Sequence, residues 1–434
     1  MCSFIVSNRG LRPFANMYSK RRGPDRTNIV QIGKFYFVHN LLSITGTCRV
    51  QPFSKDGVYC VYNGEIYNYK DFGDYGSDGD CILDLYRQCG VEFFKLLDGE
   101  YSIVIVDTVK DVLILATDVF ATKPLWWGRA KKGIGVASYK SSLLRLGFSN
   151  PIRVKANTVT VRSLKNLKCV KKFSVFDFDL RQHNKSYDRW IEAFIRSISK
   201  RSADVTKRSF LGLSSGYDSG AISWELHRQC VDCKAYTILG DENQSVVFGR
   251  QALLRDAEVI QLTEAEFYRQ KAVLKKRCEP FKVHDYDIFL DKASVGLSCI
   301  CRRARAENRI IYFSGQGADE IISDYGYQGE AIFSHSHFGG LFPADLSTVF
   351  PYKNFYGGSQ IKYLAKEEHV AGSYGIEARY PFLDPLLVQE FLWLTAKLKN
   401  RKYKAPIYEY LTVHGVPFQE GAKIGFRANR SLVR

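Results

Sequence analysis

Three stretches carry side chains whose types and spacing could do chemistry. Cys2 follows Met1, and removal of Met1 would leave a thiol and a free α-amine on one residue. The amine could then deprotonate the thiol that it adjoins, so nucleophile and general base would coincide. Taken alone, a cysteine at position 2 is more often a small buried hydrophobe. Asn63-Gly64 closes an apolar run and could aim a side-chain amide and a backbone N–H at one point, as an oxyanion requires. The same dipeptide is a strong hairpin-turn signal. The third stretch is Leu211-Gly212-Leu213-Ser214-Ser215-Gly216-Tyr217-Asp218-Ser219. A strand that turns through small residues into a helix N-terminus makes a phosphate cradle, with unpaired N–H groups and the helix dipole facing the anion. No Gly-Lys-Ser/Thr follows, so it is not a Walker loop.

These residues need positioning elements, and the hydrophobic pattern supplies them. In the first half, Lys34 to Val38, Gly57 to Tyr62, Tyr101 to Asp107, Val112 to Thr117 and Gly133 to Ser138 read as strands, and Cys81 to Cys89 as a helix. Lys155 to Phe178 is expected to carry the last strands and the crossing to a second half. There, Tyr187 to Lys200 reads as an amphipathic helix, Phe210 to Leu213, Ala235 to Leu239 and Arg309 to Phe313 as strands, and Gly220 to Cys230 as a helix. Strand ends in such a sheet gather ligands.

At 434 residues the chain is too long for one ordinary core, so two domains are expected, 1–180 and 181–434. Apolar content of 45% fits a folded protein, and no run reaches the 18 or so apolar residues a membrane span needs. The start Met1-Cys2-Ser3-Phe4-Ile5-Val6-Ser7 lacks a signal-peptide core, so a cytoplasmic protein without a membrane partner is expected. Eleven scattered cysteines lack metal-site spacing and read as reduced thiols. The net charge of +17 sits in short clusters, Lys165 to Lys172, Lys275 to Arg277, Arg302 to Arg305 and Arg401 to Lys404. They suit a solvated surface with some phosphate contacts better than a nucleic-acid partner.

The order of motifs adds a resemblance. Cys2, Arg22-Gly23-Pro24-Asp25, Asn63-Gly64-Glu65-Ile66-Tyr67-Asn68, Ser77-Asp78, Leu97-Asp98-Gly99 and Lys123-Pro124-Leu125 resemble the class II glutamine amidotransferase domains. The resemblance implies an N-terminal-nucleophile hydrolase sandwich (αββα) in which Cys2 attacks the glutamine side-chain amide and releases ammonia. It further implies an oxyanion hole of Asn63 and Gly64, and glutamine held by Leu42, Ser43, Ile44, Glu65 and Asp78, with Asp78 on the α-amine.

The second half resembles the asparagine synthetases. Ser214 to Ser219 is similar to the ATP-pyrophosphatase loop Ser-Gly-Gly-x-Asp-Ser, with Ser215 at the first glycine. Ser314-Gly315-Gln316-Gly317-Ala318-Asp319-Glu320 and Gly375-Ile376-Glu377-Ala378-Arg379-Tyr380-Pro381-Phe382-Leu383-Asp384 resemble two further family segments, and Lys404 and Lys423-Ile424-Gly425-Phe426 follow. The resemblance implies an α/β parallel-sheet ATP-pyrophosphatase domain. ATP would be held by Leu213, Ser214, Ser215, Gly216, Asp218, Ser219, Leu239, Ser314, Gly315 and Lys404, and Mg²⁺ by Asp218 and Asp319, since Mg²⁺ takes one or two carboxylates plus phosphate oxygens. A carboxylate accepts ammonia only once its oxygen becomes a leaving group, which adenylation achieves. The implied partners are L-glutamine and a carboxylate acceptor, aspartate first, with a homodimer as the expected assembly.

Three positions depart from the pattern. Leu41 replaces the Arg that pairs with the glutamine α-carboxylate, a contact worth about 1.5–3 kcal/mol, and Arg49 is the candidate substitute. Gln316 stands where the family has an acid, and an amide can neither act as a base nor carry negative charge. Ser323-Asp324 replaces a Gly-Gly. A different acceptor (peptide, sugar or modified nucleobase) and a degenerate, non-catalytic homologue are therefore kept as alternatives. A β-lactam- or lasso-type cyclase would not need Cys2 beside an intact Asn63-Gly64.

Overall fold

A computed structural model describes residues 2–131, 133–283 and 286–421; the Lys423 to Phe426 motif lies outside them. The first half is built on two antiparallel six-stranded sheets. One orders Ile152–Arg153, Trp126–Ala130, Gly133–Ala137, Ser3–Ser7, Phe35–Leu41 and Arg26–Ile32. The other orders Cys169–Phe173, Val159–Ser163, Val112–Thr117, Gly99–Asp107, Val58–Ile66 and Phe53–Lys55. Phe4, Val6, Phe37 and Val136 of the first pack against Val61, Val104, Val106 and Leu115 of the second. The helix Cys81–Cys89 lays Ile82, Leu85 and Tyr86 over the outer face of the second sheet, and Leu143 of the short helix Lys140–Arg145 covers Ile5, Val38 and Ala137 on the first. The strand Gly99–Asp107 is buried at every residue after Gly99, because sheet lies on one side and helix on the other; it therefore reads as a continuous apolar run rather than an alternation.

Of the two readings open for Asn63-Gly64, the hairpin turn is excluded: the pair lies inside the strand Val58–Ile66, opposite Ser102 and Tyr101. Gly64 has φ +144, and a Cβ there would lie 1.9 Å from the Glu100 carbonyl oxygen, so the close approach of two strands requires glycine.

The second half holds a five-stranded parallel sheet in the order Ala257–Val259, Cys233–Thr237, Arg208–Gly212, Arg309–Phe313 and Glu377–Arg379. The chain leaves Arg208–Gly212 to one side and returns on the other through Arg309–Phe313. The loops after these two strands thus flank a switch point, where such sheets bind ligands. Gly315 serves that juxtaposition: a Cβ on it would meet the Asp218 Cβ at 2.9 Å.

Charge joins the two halves. Lys123 Nζ, in the first half, lies 3.3 Å from Glu100 and from Glu368 and donates to the Ala378 carbonyl at 2.6 Å. Arg22 reaches Glu368 at 2.6 Å, and Arg201 bridges Glu100 (2.7 Å) and Asp384 (2.9 Å). All of these side chains are buried, so each is stabilising only while its partners are present.

Candidate active site

Cys2 immediately precedes the strand Ser3–Ser7, and the Arg22 Nε donates to its carbonyl oxygen at 3.2 Å. Arg22 thus fixes the Cys2 backbone, a role its place in a turn-forming tetrad did not suggest. The thiol lies 3.8 Å from the Leu42 carbonyl oxygen. Burial pushes it up to about 11, and the Glu377 and Asp78 carboxylates add to the effect. It is therefore a thiol at neutral pH and needs a base. Both polar atoms of the Asn63 side chain are buried without a hydrogen-bond partner among the described residues. An unpaired amide costs stability unless a ligand uses it.

The neighbouring acids are held in place. Thr45 Oγ1 donates to Glu65 Oε2 at 2.8 Å, and Arg379 Nη2 lies 3.3 Å from Glu65 Oε1. Asp78 accepts from the Tyr62 hydroxyl and from the Ile66 N–H at 3.0 Å. Burial raises Glu65 and Asp78 above the ordinary carboxylate range. The Asp25 carboxylate takes the Ser43 N–H at 2.8 Å, which shapes the Leu42-Ser43-Ile44 loop. Leu41 is buried, and Arg49 pairs with Asp80 at 3.0 Å, on the segment that carries Asp78. His39 was not singled out in the sequence; both its ring nitrogens are buried without partners among the described residues, and burial pulls it down to about 3, so it is neutral.

Arg379 links the two chemistries. Its Nη2 is 2.8 Å from Glu377 Oε1 as well as 3.3 Å from Glu65 Oε1, while its carbonyl accepts the Ser314 N–H at 3.0 Å. Although burial works against the charge, Arg379 and Lys123 help to hold Glu377 down at about 2.

At the second site, three N–H groups of the loop are already paired within the protein. The Ser214 N–H goes to Ser219 Oγ (3.1 Å), the Gly216 N–H to Ser214 Oγ (3.1 Å) and the Ser215 N–H to Glu242 Oε2 (2.6 Å). Side-chain oxygens of the loop and of Glu242 occupy the donors. Arg250 Nη1 clamps the loop through the carbonyls of Ser214 (2.6 Å) and Gly216 (2.8 Å). Lys404 Nζ lies 2.7 Å from both Asp218 oxygens and 2.7 Å from Asp319 Oδ1, and the Tyr403 hydroxyl donates to Asp319 at 3.0 Å. Against the effect of burial, Asp218 holds the Lys404 ammonium above its ordinary range. Asp218 and Asp319 thus share one cation position, which the Lys404 ammonium fills here. No cluster of three or more metal-binding side chains exists among the described residues. Leu213 and Leu239 follow the ends of adjacent strands. Glu242, Arg250 and Tyr403 carried no local signal.

The basic clusters are dispersed. Lys404 belongs to this site, Arg303 pairs with Glu258 at 2.8 Å, and Lys171 and Lys172 lie on the exposed strand Cys169–Phe173. All eleven cysteines are free. No helix among the described residues is long and apolar enough to cross a membrane.

Comparison with known proteins agrees with this geometry. Residues 6–177 match the family model described as a glutamine amidotransferase domain. Along the chain, a Methanocaldococcus jannaschii protein that bears the asparagine synthetase [glutamine-hydrolyzing] name is 25% identical over 412 residues, covering 86% of this chain and 72% of its own length. The asparagine synthetases [glutamine-hydrolyzing] of Gallus gallus and Homo sapiens are 24% and 22% identical, each match covering 88% of this chain and 74% of the relative. Residues 6–177 thus match a glutamine amidotransferase domain, and most of the chain is similar to the asparagine synthetases. A solved glutamine phosphoribosylpyrophosphate amidotransferase from B. subtilis, in complex with ADP and GMP, overlays at a TM-score of 0.35 with 11% identity, covering 94% of this chain and 98% of that one.

Proposed function

We propose that this protein is a glutamine-dependent amidotransferase that adenylates a carboxylate with ATP and amidates it with ammonia taken from glutamine, converting aspartate to asparagine. The observation that carries this reading is the meeting of two sites on one residue. Arg379 contacts Glu65 and Glu377 with its side chain, Glu377 being one of the carboxylates that act on Cys2, and the Ser314 loop with its backbone. The named relatives support aspartate as the acceptor over a peptide, sugar or nucleobase, and catalysis over a degenerate homologue.

In this reading residues 1–180 are an N-terminal-nucleophile hydrolase and 181–434 an ATP-pyrophosphatase-type domain. The α-amine freed by removal of Met1 takes the proton of the Cys2 thiol, which burial otherwise keeps protonated. Asn63 Nδ2 and the Gly64 N–H receive the oxyanion, and the unpartnered Asn63 amide needs no bond broken to do so. Asp78 and Glu65 hold the glutamine, with Asp78 on its α-amine, and Leu42, Ser43 and Ile44 line its path. Ser214, Ser215, Gly216 and Ser219 cradle the departing pyrophosphate, Leu213 and Leu239 flank the adenine, and Ser314, Gly315 and Lys404 face the phosphates. The carboxylates of Asp218 and Asp319 converge on one cation position, which fits Mg²⁺ with phosphate oxygens completing its shell. There the ion would neutralise phosphate charge.

The test is mass spectrometry of products from Mg-ATP, aspartate and either ¹⁵N-amide glutamine or ¹⁵N-ammonium. Labelled asparagine from glutamine is expected. Glutamate release without asparagine would sink the acceptor assignment, and silence in both arms would sink the enzyme reading.

A further inference from the structure

Gln316 cannot do what an acid does, yet a carboxyl group lies against it. Gln316 Nε2 is 3.4 Å from Glu367 Oε1, which reaches in from the helix Gly358–Gly372. Glu367 is 6% exposed, and its second oxygen, Oε2, is buried with no hydrogen-bond partner among the described residues. The contact lies at the nucleotide site, because the loop bearing Gln316 packs through Gly315 onto Asp218. A buried carboxyl oxygen short of a well-formed bond costs stability, and the Ser314 and Tyr312 hydroxyls beside the carboxyl hold it in place.

We propose that Glu367 is the proton acceptor of the amide-forming step, supplying from a neighbouring helix the acid that position 316 lacks. The inference rests on the function proposed above. Ammonia's lone pair forms the C–N bond to the activated carbonyl carbon, and the nitrogen gives a proton to Glu367 Oε2. The C–O bond to the phosphoryl group then breaks, its electron pair leaves with AMP, and Glu367 returns the proton to solvent. Gln316 orients the carboxyl through its amide.

The surroundings suit the role. Burial brings Glu367 up to about 7, within reach of both protonation states at neutral pH. The groups facing it from packed elements are Tyr312, Cys301 and Tyr380, whose own protons burial holds well above the ordinary ranges, so all three are neutral. On its own helix, Glu368 adds to the rise and the Lys366 ammonium opposes it. Lys366 is turned partly toward Asp291, at 3.7 Å.

The experiment measures kcat for amide formation from saturating ammonium, Mg-ATP and aspartate across the neutral range, so that the glutaminase half is bypassed. The wild-type rate is expected to fall on the acid side with a midpoint near the Glu367 value of about 7. Glu367→Gln is expected to lower kcat about 100-fold and remove that limb. The exchange Gln316→Glu/Glu367→Gln is expected to restore kcat to within about tenfold of wild type, because the acid returns to the same contact. Gln316→Glu alone places two acids together and is expected to move the limb to higher pH, a check that holds even if Glu367→Gln does not fold. A Glu367→Gln enzyme with wild-type kcat and pH profile, or a Gln316→Glu enzyme with an unmoved limb, would overturn the inference while leaving the proposed function intact. A wild type that makes no amide from ammonium or glutamine would overturn both.

Discussion

The two sites prepare for their ligands in opposite ways. Around Cys2, the Asn63 amide is buried with neither polar atom bonded among the described residues, so the oxyanion donor is set in advance at a standing cost to stability. Around Asp218, the charged and loop groups are already engaged within the protein: Lys404 bridges the two aspartates, and Glu242 accepts from the Ser215 N–H and hydroxyl. A ligand at the first site adds bonds, whereas a ligand at the second must displace bonds already made. The first arrangement favours rate, and the second keeps a phosphate loop stable until its ligand arrives.

Variants can break this contrast. The largest effect is expected from Lys404→Met, which leaves Asp218 and Asp319 close together without their cation; removing one partner of a buried pair costs about 3–5 kcal/mol. A lowered Tm and loss of ATP–pyrophosphate exchange would confirm it, and an unchanged Tm would show that the network is not needed for stability. Asn63→Leu should do the reverse: glutamine hydrolysis falls by about 10²–10³, the effect of losing one oxyanion donor, while Tm holds or rises because an unpaired buried amide is gone. A drop in Tm would mean that Asn63 is structural.

Glu242→Gln probes the same contrast more gently. It weakens the acceptor on the Ser215 N–H and should tighten ATP binding about tenfold, the value of one charge-assisted hydrogen bond, as read by calorimetry. Weaker binding would instead make Glu242 part of the nucleotide site. The last contrast is read in pH at the junction. Burial would raise Glu100, but Lys123 and Arg201 hold it below the ordinary carboxylate range. Its contribution is therefore complete above the unfolded-state value and lost as pH falls through the lower folded one. Neutralising Lys123 as Lys123→Met should erase that part of the acid-side loss of Tm, and an unchanged acid limb would exclude Glu100 as its source.

Much of the fold was legible because its signals are local. The apolar run at Val112–Thr117 and the pattern of Cys81–Cys89 gave their elements outright. The small-residue turns after Arg208–Gly212 and Arg309–Phe313 marked the switch point. The turn preference of Asn63-Gly64 is not expressed, because pairing with Gly99–Asp107 overrides it. What escaped was long-range chemistry. Glu242 contacts Ser215 across 27 positions and Lys123 meets Glu368 across 245, and nothing in the flanking residues announces either pairing. Glu367 escaped for the same reason, since its meaning depends on an amide 51 positions away.

The Lys123 contacts bear on how the chain is made. Two of its partners, Glu368 and the Ala378 carbonyl, are synthesised long after it, as is the Glu368 partner of Arg22. While the ribosome is still working through the middle of the chain, the finished first half holds cations that still lack some of their partners. It can collapse, but its junction face must stay hydrated until the last part of the sheet arrives. Cutting the gene between its halves would make that nascent condition permanent, and the severed first half would depend on chaperones or on the second half supplied in trans.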